Sequence, residues 1–394
     1  MPASLVNLAD RLRPDHRLLL SLCKAGATPD AAHIAAGAYG EAVPGQPSFD
    51  RGLFDRLVLR QRVYPLLHPL FGTLPARAPD CPSRRYARLC QDNIRAALRL
   101  VEVLSLATAA LRSVGIRSIP LKGVALAQRW YGNVALRYAG DLDLLVAADD
   151  LTAADRRLRG SGFSPRADTP RVSGSRRDRH THHFAYRHDE TGVLLELHQR
   201  LQPNPHLMPV PFATLYAQGS DIGFGPTLLR TLAPAHEFAF LAVHGTRHDW
   251  SRLQWVCDLD RMLRAAAAED ALHWVETADR LGVAPAVLQA MMIAHGLLDS
   301  PVPEPVRRQA GGNPLVRYMV AHAQRHLFRE SRTPEDRPDI QRTWSLLYLL
   351  CLSPRPRYLA TELAARLRER REATRTRPRR VITVVRPGAG ASHG

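Results

Sequence analysis

Hydrophobic positions along this chain change their spacing twice. Up to about residue 115 they recur every three or four positions, in RLLLSLCKAG, in FDRLVLRQRVYPLLHPLF and in the long run SRRYARLCQDNIRAALRLVEVLSLATAALRSV, which Gly115 ends. ATPDAAHIAAGAYGEAVPGQPS and GTLPARAPDCPS, between these helices, are loop-like. From Ile116 the runs shorten. IRSIPL predicts a strand, KGVALAQRWYG a helix ending at Gly132-Asn133, and ALRYAGDLDLLV another strand. LTAADRRLRGSGF predicts a helix that Asp149 or Asp150 can cap, with Gly160 and Gly162 near its end. After the polar, Arg-rich segment 165–179, HHFAYRH and GVLLELHQRL read as strands around the turn DETG. From Ala235 the helical spacing returns and continues to about 372, and the Pro-, Gly- and Arg-rich end is expected to be disordered. The order predicts an α+β protein. Its parts are a helical region over 1–115, a small mixed core over 116–230, a second helical region over 231–372 and a basic tail over 373–394.

Composition sharpens this outline in a few places. The formal net charge of +17 makes an anionic partner plausible, whether nucleotide, nucleic acid or acidic membrane. The charge is uneven, because residues 366–386 hold nine Arg against Glu369 and Glu372. That Arg-rich end could touch nucleic acid, in a salt-sensitive and unspecific way; a solvated helix with a disordered end is the default expectation. Lys24 and Lys122 are the only lysines among 54 basic residues, so each is informative. The five cysteines are scattered, with no Cys-x-x-Cys spacing, which argues against a disulfide framework or a cysteine zinc site and for a reducing compartment. No transmembrane segment is expected: TWSLLYLLCL at 343–352 is about half the ~20 residues a span needs. The start of the chain lacks the apolar core of a signal peptide, and a cytoplasmic location is expected.

Three stretches carry chemistry. In RYAGDLDLLV, 137–146, alternate strand residues share a face, so Asp141 and Asp143 point one way and Leu142 and Leu144 the other. Paired carboxylates repel unless a cation sits between them, and Mg²⁺ takes oxygen ligands of this kind together with substrate phosphates. The plainer alternative is a solvated edge strand. In PLKGVAL, 120–126, Gly123 opens a helix, whose free N–H groups and dipole favour phosphate, and Lys122 adds a compact positive charge; a surface lysine at a helix entry is the alternative. In LLELHQRL, 194–201, Glu196 and His198 interrupt an apolar strand on one face, where Glu196 could complete a metal site or take a proton.

Other residues rank lower. His180, His182, His183 and His188 cluster near the hairpin, but irregular spacing and the lack of cysteine argue against zinc; one of His182 and His183 is expected to face the cleft, with the others solvated. His244 and His248, four apart, belong on one helix face, in HGTRH rather than HExxH, with His244 near the cleft. Trp250 and Trp255 are expected in the core. Asp258 and Asp260, two apart on a helix, diverge and should not share a metal.

The combination LKG at 121–123, RYAGDLDLLV at 137–146, GF at 162–163 and ELH at 196–198 resembles the polymerase-β-like nucleotidyltransferase superfamily, and more closely its uncharacterised bacterial branch. The downstream HGTRHDWSRLQWVCDLDRML and the upstream helices are also of that type, so the likeness extends over roughly 20–350. It implies transfer of a nucleoside monophosphate from an NTP to an acceptor hydroxyl, with release of pyrophosphate. It also implies that Asp141, Asp143 and Glu196 are catalytic and hold two Mg²⁺ (or Mn²⁺) ions, and that Lys122, Gly123, Arg137 and His198 serve the nucleotide. Arg137 would neutralise phosphate or pair with the aspartates. The acceptor is open: a protein, a small molecule, a sugar or an RNA end. The Gly-Ser pair usual in the superfamily is absent, because Val124 follows Gly123. The basic segment 165–180 is also longer than the resemblance leads one to expect. A nucleic-acid-binding or regulatory protein on the same fold, with little catalysis, is the alternative.

Overall fold

Apolar residues on alternate positions of the central strands decide how this chain folds. The computed structural model describes residues 12–25, 50–71, 82–225, 227–327 and 346–376. The loop-like segment 27–48, most of 72–83, the start of 343–352 and the tail beyond Thr376 lie outside the described residues. Five strands form one sheet in the order β1-β2-β5-β4-β3: β1 Ser118–Pro120, β2 Leu142–Val146, β3 Phe163–Pro165, β4 His183–His188 and β5 Leu194–His198. Only β2 and β5 run parallel; the other pairs are antiparallel. Leu142, Leu144 and Val146 of β2, Leu195 and Leu197 of β5, and Phe184 and Tyr186 of β4 fill one face. Against them pack Ala97, Leu100, Val103, Leu104, Ala107 and Leu111, a helix-spaced row on the long helix Pro82–Arg112, and Leu151, Ala154 and Leu158 of the helix Leu151–Arg159. The opposite face carries Leu145 and the polar residues of the strands and turns toward the C-terminal helices.

We number the helices α1 Pro14–Ala25, α2 Arg51–Arg60, α3 Tyr64–Phe71, α4 Pro82–Arg112, α5 Val124–Tyr131, α6 Leu151–Arg159, α7 Phe212–Gln218, α8 Pro234–Arg247, α9 Leu253–Ala265, α10 Ala268–Leu281, α11 Ala284–Leu298, α12 Glu304–Gly312, α13 Pro314–Leu327 and α14 Pro356–Thr376. A two-stranded hairpin, Ser220–Phe224 with Thr227–Thr231, joins the sheet region to α8. Helix α11 is apolar on all sides and sits at the centre of the second core, which the N-terminal helices α1 to α3 share with the C-terminal ones. Gly245 on α8 is required for closeness: a Cβ there would lie 2.6 Å from the Trp250 ring, which is fully buried. The architecture is therefore mixed α+β, a small sheet between helical segments. Asp149 and Asp150 do not cap α6. They end a 3-10 turn, Ala148–Asp150, that leads straight into it; Asp150 stands at the N-cap position, but its side chain makes no capping hydrogen bond.

Buried ion pairs fasten the sheet region to the C-terminal helices. Arg137 donates from Nε and Nη2 to both carboxylate oxygens of Asp258 on α9, each at 2.8 Å, and the Tyr131 hydroxyl donates to the same carboxylate at 2.8 Å. On α8, Glu237 accepts from Arg129 at 3.1 Å and from the Trp130 indole at 2.9 Å. Burial nevertheless dominates there and pushes the Glu237 pKa up to about 7, against the pull of Arg129.

Both fasteners can be tested. Removing one partner of an enclosed pair strands the other charge, so Arg137→Met should destabilise the fold by about 3 to 5 kcal/mol, and adding Asp258→Leu should recover part of that. A loss well under 1 kcal/mol in denaturant unfolding would contradict the assignment. For Glu237 the folded protein holds the proton more tightly than the unfolded chain. Between about pH 4.5 and 7 the folded state therefore binds more protons, and stability falls as pH rises through that window. Glu237→Gln should remove that slope, worth on the order of 3 kcal/mol, from the pH dependence of thermal unfolding. An unchanged slope would show that Glu237 titrates normally.

Candidate active site

Strand register assembles the site. Asp143 of β2 stands directly beside Glu196 of β5, and His198 of β5 stands beside His183 of β4. Neighbours in register share a face, so all four look toward the C-terminal helices, opposite the leucines. They floor a cavity of about 570 Å³, within the size range of small-ligand sites. Its rim includes Lys122 and Gly123 from the β1–α5 turn, Asp141 at the mouth of β2, and His244, His248 and Trp255 from α8, α9 and the link between them. Gly123 adopts φ +69°, a backbone conformation that strains any residue with a side chain, while the space around it would allow a Cβ at 3.4 Å from the Asp141 carbonyl.

Asp143 is the buried centre of the cluster. His198 Nε2 lies 3.0 Å from its Oδ1, and Lys122 Nζ lies 3.1 Å from Oδ2. Burial alone would raise its pKa, but the His198 hydrogen bond and the Lys122 charge outweigh it and hold the carboxyl well below the usual range. His198 reaches Glu196 as well, at 3.4 Å. Burial opposes its charge, yet the hydrogen bonds with Asp143 and Glu196 win and raise its pKa. Glu196, hydrogen-bonded by His198, is lowered. Asp141 moves the other way: burial first, then the charge of Asp143, raise it. Lys122 is raised, because Asp143 and Asp141 outweigh its own desolvation.

A divalent cation fits this set. The ligand atoms of Asp143, Glu196 and His198 lie within 4.8 Å of one another. Asp143 Oδ2 is enclosed, and the Lys122 ammonium at 3.1 Å is the cation that faces it. Asp141 is not part of that tight group; it lies one residue before β2, in a bend, rather than within the strand, and lines the same cavity.

Arg137 is also on the cavity wall, but its partner is Asp258 rather than Asp141 or Asp143. Asp258 and Asp260 do diverge, Asp260 being bound to Arg264 and Ser300. Three positions differ from the sequence reading. His182 and His183 both line the cavity, because His182 sits in a bend before β4 and escapes strand alternation. His188 is buried against Phe163 instead of solvated. Trp255 is half-buried on the cavity wall, packed near the rings of His244 and His248, while Trp250 is in the core as expected. Arg62, Tyr138, Arg247 and Gln254 are cavity residues that no local pattern marks, since loops and helices far apart in the chain bring them there.

No curated protein sequence matches the chain. A solved structure of an antigenic nucleotidyltransferase-like protein from Paracoccidioides brasiliensis is similar, at 16% identity and a TM-score of 0.34, covering 54% of this chain and 94% of that one. No helix among the described residues is long and apolar enough to cross a membrane. The profile of the family described as "Uncharacterised nucleotidyltransferase" matches residues 47–299, a span that includes Lys122, Asp141, Asp143, Glu196 and His198, and the chain belongs to that family.

Proposed function

We propose that the cavity carries out nucleotidyl transfer of the polymerase-β-like kind, moving a nucleoside monophosphate from an NTP to an acceptor hydroxyl. The observation that carries this reading is Asp143 and Glu196 in register on one face of the sheet, beside the Lys122-Gly123 turn. Asp141, Asp143 and Glu196 would hold the divalent ions, Mg²⁺ or Mn²⁺, which when bound offset the charge of the triphosphate and of the attacking and leaving oxygens. Gly123 and the first turn of α5 face phosphate oxygens, and the Lys122 ammonium neutralises them. His198 orients Asp143 through their 3.0 Å contact. Arg137, tied to Asp258, fixes the approach to β2 and adds positive potential to the wall. Trp255 and Tyr138 offer aromatic surface for the base.

In the transfer, the acceptor oxygen attacks the α-phosphorus and forms the new P–O bond. The bond from that phosphorus to the bridging oxygen breaks, and pyrophosphate leaves with the electron pair. Glu196 takes the acceptor proton. The acceptor itself is a hydroxyl of a protein side chain, a small molecule, a sugar or an RNA end.

Incubating the full chain with each α-labelled NTP, Mg²⁺ and cell extract should label one acceptor class and release pyrophosphate. Loss of an outer contact to a metal ligand already costs roughly 10- to 100-fold, so Asp143→Asn should lower labelling at least about a hundredfold, with Asp141→Asn and Glu196→Gln in the same direction. Labelling that survives Asp143→Asn would refute the assignment. Salt-sensitive nucleic-acid binding that ignores these substitutions, with no labelling by any NTP, would identify a binding module instead.

A further inference from the structure

We propose a second metal site in the same cavity, built from nitrogen rather than oxygen: His182, His183 and His198, with Glu196 beside them, bind one first-row transition ion, best satisfied by Zn²⁺. The ligand nitrogens of the three imidazoles lie within 4.8 Å of one another. His182 Nδ1 and His183 Nδ1 are 3.3 Å apart, and His183 Nε2 is 3.7 Å from Glu196 Oε1. The rings stand edge to face or tilted, with centroids 4.8 to 5.3 Å apart.

Ring packing alone does not account for this cluster. Three imidazoles stacked for bulk would leave their nitrogens to be satisfied by neighbours. Instead His182 Nε2 and His198 Nδ1 are enclosed with no hydrogen-bond partner. An enclosed nitrogen without a partner is a cost to the fold, and an ion that takes one lone pair from each ring can relieve it. Imidazole sites with a neighbouring carboxylate suit Zn²⁺, Cu²⁺, Ni²⁺ or Fe²⁺ and are poor sites for Mg²⁺, which prefers oxygen. The geometry depends on the bend at His182: in a regular strand, adjacent residues 182 and 183 would point to opposite faces. His198 is the hinge between this set and the carboxylates, since its Nε2 faces Asp143. The proposal does not depend on the catalytic reading, because it rests on the imidazoles and not on the aspartates' role.

The full-length chain, stripped with chelator and dialysed against buffered Zn²⁺, should retain one equivalent by elemental analysis. His182→Ala with His183→Ala should weaken Zn²⁺ binding at least tenfold, while Asp141→Asn should leave it within twofold even where that change abolishes nucleotidyl transfer. The Co²⁺-loaded wild-type chain should show the intense visible absorption of a low-coordinate nitrogen site, lost in the double variant. Should the double variant fail to fold, Cu²⁺ loading of the wild-type chain decides: paramagnetic resonance should show hyperfine coupling to three imidazole nitrogens, and coupling to two or fewer would overturn the proposal. Zn²⁺ retention that is absent in the wild type, or equal in a folded double variant, would also overturn it.

Discussion

The Asp143 carboxylate is the constraint from which the rest of the site follows. It is carried out of water on a strand whose other face is leucine, so an enclosed negative charge must be compensated from within the protein. Lys122 and His198 supply that compensation from two other elements. One comes from a turn whose glycine holds a left-handed conformation, the other from a parallel neighbour strand in fixed register. A slip of one residue between β2 and β5 would send Glu196 and His198 to the leucine face and bury their polar groups in oil. The apolar alternation therefore fixes the chemistry. Leu142, Leu144, Leu195 and Leu197 can be buried on one face only in registers that also keep Asp143 on the same face as Glu196 and His198.

The cleft is closed by helices that come much later in the chain. Helices α8 and α9 lie over the polar face of the sheet and contribute His244, Gln254 and Trp255 to the cavity wall. Their hold on the sheet is ionic as well as apolar: Asp258 takes Arg137, and Glu237 takes Arg129 and Trp130. Enclosed pairs of this kind add little net stability over an apolar contact, but they penalise any other arrangement of the two halves. They set position. Arg137 follows this logic, because a guanidinium bound by two strong hydrogen bonds fixes the backbone immediately ahead of Asp141.

Much of this could be read from the sequence, and the reasons are local. Period-two alternation exposes Asp143, Glu196 and His198 as same-face intruders in apolar strands. Gly123 and Gly132 bracket a helix whose bounds are observed within two residues of the prediction. What escaped was decided by tertiary structure or by a single irregular residue. The bend at His182 breaks the alternation that would have turned one of the paired histidines away. Asp149 and Asp150 have the composition of a helix cap, yet the chain enters α6 through a 3-10 turn and never presents the side chains to it. Arg137 reads as a phosphate ligand because its partner is 121 positions away and leaves no mark nearby. Trp255 reads as core for the same reason: periodicity places it on a helix but does not say that the facing surface is a cavity.

The sharing of one core by both ends of the chain has a consequence for dissection. A fragment comprising the five strands alone would keep the acidic residues in sequence but lose the surfaces that cover Ile119 and Leu145, and would leave Arg129 and Arg137 without their carboxylates. A cut ahead of α8 separates Arg129 and Arg137 from Glu237 and Asp258.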